Sequence, residues 1–138
     1  RFALDCVAGL NGIPTQSELL RYFTSTEQTN GFGNRFAWFF VKRAREIPTP
    51  TGCPDEILNP LIERLGNAVT FARKVNTITR DDEAEAIWQS VYHKLSEEKD
   101  GLVGALLARS EPQVMRLACK YALLNLSGVV KSAHLEAA

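Results

Sequence analysis

The residue with the clearest chemical use is Arg35, set within Asn30-Gly31-Phe32-Gly33-Asn34-Arg35-Phe36-Ala37-Trp38-Phe39-Phe40-Val41. Two glycines make a turn that tolerates unusual backbone angles, and the aromatic and β-branched run that follows reads as a buried strand. An arginine held at the mouth of such a strand is poised to meet a phosphate, because its guanidinium is permanently charged and offers a planar fork to phosphate oxygens. A second reading is an internal ion pair with one of the acids that closes the turn. The rest of the chain has to be read for which of the two it supports.

Other routes to chemistry are poorly supplied. No G-x-x-x-x-G-K-[ST] loop or other glycine-rich phosphate cradle occurs, so the chain carries no nucleotide pocket of its own by motif. His93 and His134 are far apart in sequence and each falls on a helical pattern, which does not suggest a metal centre. No serine sits in a nucleophile elbow, and Asp81, Asp82, Glu83 and Glu85 read as the acidic first turn of a helix. The three cysteines, Cys6, Cys53 and Cys119, lack any C-x-x-C pair, which argues against a disulfide scaffold or zinc site and for a reducing, cytoplasmic setting. Zero formal net charge argues against a surface built as a whole for nucleic acid, leaving Lys42-Arg43-Ala44-Arg45 as a local basic patch or a solvated strand end. No apolar run approaches the ~20 residues of a membrane span.

The elements that would position Arg35 follow from pattern. Residues 2–10 read as a buried strand that empties into Asn11-Gly12-Ile13-Pro14. Thr15 and Glu18 make a capping box for a helix with Leu19, Leu20, Tyr22 and Phe23 on one face. The strand after Arg35 completes a strand-helix-strand unit over residues 1–45. Prolines and a glycine between Glu46 and Cys53 mark a boundary, and residues 46–138 read as a helical domain. Pro54, Asp55 and Glu56 open a helix with the stripe Ile57, Leu58, Leu61, Ile62, Leu65 and Val69, running to about residue 75. Thr79 and the following acids open another, burying Ala84, Ile87, Trp88, Val91 and Leu95 and ending at Asp100-Gly101. After a short apolar piece, Ser110-Glu111-Pro112-Gln113 is a capping box for a helix that buries Val114, Leu117, Ala118, Tyr121 and Ala122. Ser127-Gly128 breaks it, Val129-Val130 forms a bridge, and Ser132 begins a last helix. The fold class expected is mainly α, a multi-helix bundle with a short strand-helix-strand remnant at its N-terminus. A chain of 138 residues that begins without Met and closes within a helical pattern reads as a piece of a larger protein.

This order of features resembles a known group. Val7-Ala8-Gly9-Leu10-Asn11-Gly12, then a helix, then Gly33-Asn34-Arg35-Phe36-Ala37-Trp38-Phe39-Phe40-Val41, is similar to the last two core strands of AAA+ ATPases of the minichromosome-maintenance helicase type. Ala108 to Ala118, with Arg109 seven residues before Arg116, looks like the lid helix of that group. A closer resemblance is to the C-terminal region of primase-associated domain-of-unknown-function ATPases of bacteria, phages and plasmids, carried by Asn30 to Phe36, Trp38, Arg116-Leu117-Ala118 and Tyr121-Ala122-Leu123-Leu124. The resemblance spans nearly the whole chain, through three short motifs in order.

The resemblance implies a role for each matching residue. Arg35 would be the arginine finger that reaches the γ-phosphate held by a neighbouring subunit. Arg109 would be the second sensor, a lid arginine contacting the phosphate, and Asn11 the first sensor, orienting the attacking water. Asn-Gly is also a turn former, and Arg109 is equally a solvated helix-start residue. ATP and Mg2+ would be the cofactors of the whole protein, none bound by this chain alone. A homo-oligomer, on the pattern of a hexamer, and DNA would be its partners, with no membrane. Arg35 would face outward and Arg109 toward its own subunit's pocket, both accessible to solvent. The alternative is a non-enzymatic helical module in which the helices around Ser127-Gly128 bind DNA or another protein.

Overall fold

The computed structural model describes residue 21, residues 33–36, 46–49 and 51–138. Among these the chain is mainly helical, as its periodicity predicts, with five helices and one two-stranded parallel sheet. The expected strand-helix-strand unit falls almost wholly outside the described residues, and so do Asn11, Cys6, Trp38 and the patch Lys42-Arg43-Ala44-Arg45. Arg21, within the helix expected after Thr15, is helical. The elements are a 3-10 turn at Gly33–Arg35, α1 (Asp55–Ala72), β1 (Thr79–Arg80), α2 (Asp82–Leu95), α3 (Gly101–Leu107), α4 (Ser110–Leu124), β2 (Val129–Val130) and α5 (Ser132–Ala137).

Contacts group the chain into two units, Arg1–Ala37 with Val91–Gln113, and Trp38–Ser90 with Val114–Ala138. This grouping crosses the compositional boundary near residue 45 and falls inside both α2 and α4.

In the second unit a core forms from small side chains. Ala84 of α2 and Ala118 and Ala122 of α4 are fully buried together with Met115, Val130 and Leu135, and Ile87, Trp88 and Val114 pack on the outside of this cluster. Methyl-sized side chains let backbones approach closely, and the stripe then excludes water from a thin seam. Of the expected inner face of α2, Ala84 is buried and Ile87 and Trp88 pack on the core, while Val91 and Leu95 are half-buried outside this cluster. Its start is different. Thr79 does not open the helix. Thr79 and Arg80 pair in parallel with Val129 and Val130, joined by Thr79 N–H to Gly128 C=O at 3.3 Å and Asp81 N–H to Val130 C=O at 3.2 Å. Asp81 then becomes the cap, its carboxylate accepting the Ala84 N–H at 2.9 Å.

α1 departs from expectation in a different way. Its register is as the stripe requires, although it ends at Ala72 and Pro54 lies one residue before its first turn. The stripe nevertheless stays exposed: Ile57, Ile62 and Leu65 keep 58%, 58% and 56% of their surface, and only Ala68 is buried. Periodicity reports which side chains share a face, whereas burial needs a second element laid upon that face.

α4 ends in a Schellman turn. Ser127 N–H reaches Ala122 C=O at 2.9 Å and Leu126 N–H reaches Leu123 C=O at 3.0 Å. The left-handed position, usually a glycine, is Leu126 at φ 55°.

Candidate functional site

The arginine turn lies in the first unit. Gly33 is buried and Arg35, the last residue of the 3-10 turn, is exposed. Phe36 N–H closes the turn onto Gly33 C=O at 3.3 Å. Arg35 therefore projects from a tight turn, and not from the first position of a strand as its sequence context suggests. The turn lies against α3. That helix was expected only as a short apolar piece: Asp100-Gly101 starts it instead of ending α2, with Gly101 at φ +71°, a conformation open to glycine. Within it Gly104 comes so close to the Lys99 carbonyl that a Cβ could not fit. α3 runs into Ala108-Arg109, and Arg109 is exposed at the junction with α4.

The capping box expected at Ser110 does not form. Ser110 Oγ donates back to the Leu107 carbonyl at 2.6 Å, and the Gln113 N–H bonds the Arg109 carbonyl at 3.2 Å. Gln113, freed from a capping role, sends its carboxamide to the arginine turn: Nε2 donates to Asn34 C=O at 2.8 Å and to Phe36 C=O at 3.0 Å. Asn34 Oδ1 beside it is buried with no hydrogen-bond partner among the described residues. Sequence reasoning placed Gln113 at a helix start and missed this contact, which spans some 77 to 79 positions of chain. No local signal could have revealed it.

Two further clusters lie in the second unit. Arg80, not singled out by sequence, donates from Nε to Glu85 Oε2 at 2.6 Å, places Nη1 3.8 Å from Met115 Sδ, and lies 5.7 Å from the Trp88 ring centre. Hydrogen bonds from Gln89 and then Arg80 hold the Glu85 carboxyl below its usual range. Every charge in this cluster is spent on its neighbours, so it is a brace between β1 and the start of α2. His134 is buried at 7% exposure. Its Nδ1 accepts the Lys131 N–H at 3.1 Å, and its Nε2 meets the Asn125 side chain at 3.0 Å. With both ring nitrogens engaged, His134 has no lone pair to offer a metal. It also borders an open cavity of about 460 Å³ shared with Leu61, Arg64, Leu65 and Tyr121. No group of three or more His, Cys, Asp or Glu among the described residues could hold a metal ion.

Among the described residues no helix is long and apolar enough to cross a membrane. Comparison with known proteins adds no relative: no family model, curated protein or solved structure matches the chain.

Proposed function

We propose that the chain is the C-terminal part of a AAA+-like ATPase that acts on DNA, supplying an arginine finger and a lid sensor to ATP sites formed in an oligomer. One observation carries the reading: the Arg35 turn lies against α3, the helix that leads directly into Arg109, and both arginines are exposed. Two cations on neighbouring segments, neither buried, are what a pair of phosphate-directed groups requires. Arg35 would stabilise the charge that grows on the γ-phosphoryl oxygens of ATP bound to the next subunit. Arg109 would contact phosphate in its own subunit, and Asn11 would orient water. ATP is to be held by a phosphate loop outside this chain. No group of three or more His, Cys, Asp or Glu among the described residues fits Mg2+, which would come with the ATP.

The rival DNA-reading role for α4 and α5 is less well supplied. α5 contains no lysine or arginine and turns His134 and Leu135 inward, so a helix in that position has no cation of its own for phosphate contacts.

Mixing distinguishes the ATPase reading. In the full-length protein Arg35→Ala is expected to lower the turnover of ATP by roughly 10³-fold or more. Combining it with a second variant whose phosphate loop is broken should restore activity, since the finger and the pocket then come from different subunits. Full activity in pure Arg35→Ala protein would sink the reading.

A further inference from the structure

A finger arginine is useful only if its backbone is held, and here the holder is Gln113. The two N–H bonds of the Gln113 carboxamide go to the carbonyls of residues 34 and 36, one on each side of Arg35. One NH2 group thus pins a backbone carbonyl on each side of residue 35. Gln113 is itself fixed to the helix start, because its backbone N–H bonds the carbonyl of Arg109. Asn34 Oδ1, buried with no partner among the described residues, disfavours this turn, and the two Gln113 bonds work against that cost.

From this geometry we infer that Gln113 is a positioning residue: it sets the aim of Arg35 and ties it to the position of Arg109 at the start of α4. The inference rests on the ATPase reading above and deepens it. A shift of the α4 start on contact between Arg109 and a phosphate is transmitted through one side chain to the turn that carries Arg35. Occupancy of a subunit's own site then alters the finger that it offers to its neighbour.

The test uses the full-length protein with Gln113→Met, which keeps side-chain length and removes both donors, and Gln113→Glu, which keeps shape and solubility and turns carboxylate oxygens toward two carbonyls. Trypsin cleavage after Arg35, read by mass spectrometry, reports the turn directly. Release of two hydrogen bonds is expected to speed it about tenfold in both variants. The kcat for ATP should fall by about 10- to 100-fold with KM within about twofold, as loss of aim without loss of nucleotide binding requires. A general loss of structure would instead raise cleavage at many sites and move KM, and this outcome in both variants counts against the inference. Wild-type cleavage and wild-type kcat in both Gln113 variants, with Arg35→Ala inactive, overturn the Gln113 role and leave the ATPase reading standing. A fully active Arg35→Ala protein removes the ATPase reading, and the inference falls with it.

Discussion

Replacing His134 by Ala is expected to cost about 2–4 kcal/mol, and the origin of that cost can be dissected. The Lys131 N–H donates to Nδ1, so in the neutral ring that nitrogen carries the lone pair and the proton resides on Nε2. Asn125 is placed with Nδ2 3.0 Å from Nε2, and since two donors cannot pair, the amide O and N must exchange places so that Oδ1 accepts from Nε2–H. Two hydrogen bonds at about 1 kcal/mol each, added to the packing lost with a nearly buried imidazole, give the stated range. In a domain of this size that corresponds to a fall in Tm of roughly 6–15 °C. Asn125→Ala alone should cost less, about 1 kcal/mol, because the residue is exposed and water can replace part of the bond. A double-mutant cycle should return a coupling of about 0.5–1.5 kcal/mol. Nitrogen-15 spectra of the histidine rings should show the Nε2–H tautomer at His134. Additivity within about 0.3 kcal/mol, or an Nδ1–H tautomer, would refute the argument.

Two other outcomes follow from the structure. Leu126→Gly should be neutral to stabilising by up to about 1 kcal/mol, since relief of left-handed strain of about 1–2 kcal/mol outweighs the added entropy of glycine and the loss of a half-exposed side chain; a lower urea midpoint would show that Leu126 packing matters more than its φ. Burial pushes the Cys119 thiol up, partly opposed by Arg80, so peptide-mapped alkylation should label exposed Cys53 well before Cys119. The sign of the linked stability follows: with the folded value raised, the contribution is whole below the ordinary thiol range and is lost as pH rises through it, and Cys119→Ala should flatten that alkaline decline in a denaturation series.

Much of the helical architecture is legible in the amino-acid order because it is local. The helices α2 and α4 and the break after Leu124 follow from periodicity and turn residues; of their expected inner faces the structure buries Ala84, Ala118 and Ala122 and leaves the larger side chains half-buried, with Met115, outside the expected face of α4, buried in addition. What was not legible depends on partners far along the chain. Thr79 looks like a helix cap until Val129 is beside it, and then it is strand. Ser110-Glu111-Pro112-Gln113 satisfies a capping pattern, yet Gln113 gains more from two carbonyls near residue 35 than from its own helix end. For the site, residue types alone brought Arg35 forward; Arg109 and Asn11 entered through resemblance, and Gln113 and Arg80 through geometry.

The small sheet has a consequence for the order of folding. β1 and β2 join residues 79 and 129, so their pairing closes a loop of about fifty residues, at an entropic cost of roughly 3–4 kcal/mol before any contact repays it. Helical turns form in well under a millisecond and need no such closure. The amides of Thr79 and Asp81, which donate across that sheet, should thus be late to acquire protection from hydrogen exchange during refolding. Once formed, they act as a latch: in the native state their exchange should require opening of the Ala84, Ala118 and Ala122 seam, making one exposed and one half-buried residue the slowest clock of the second unit.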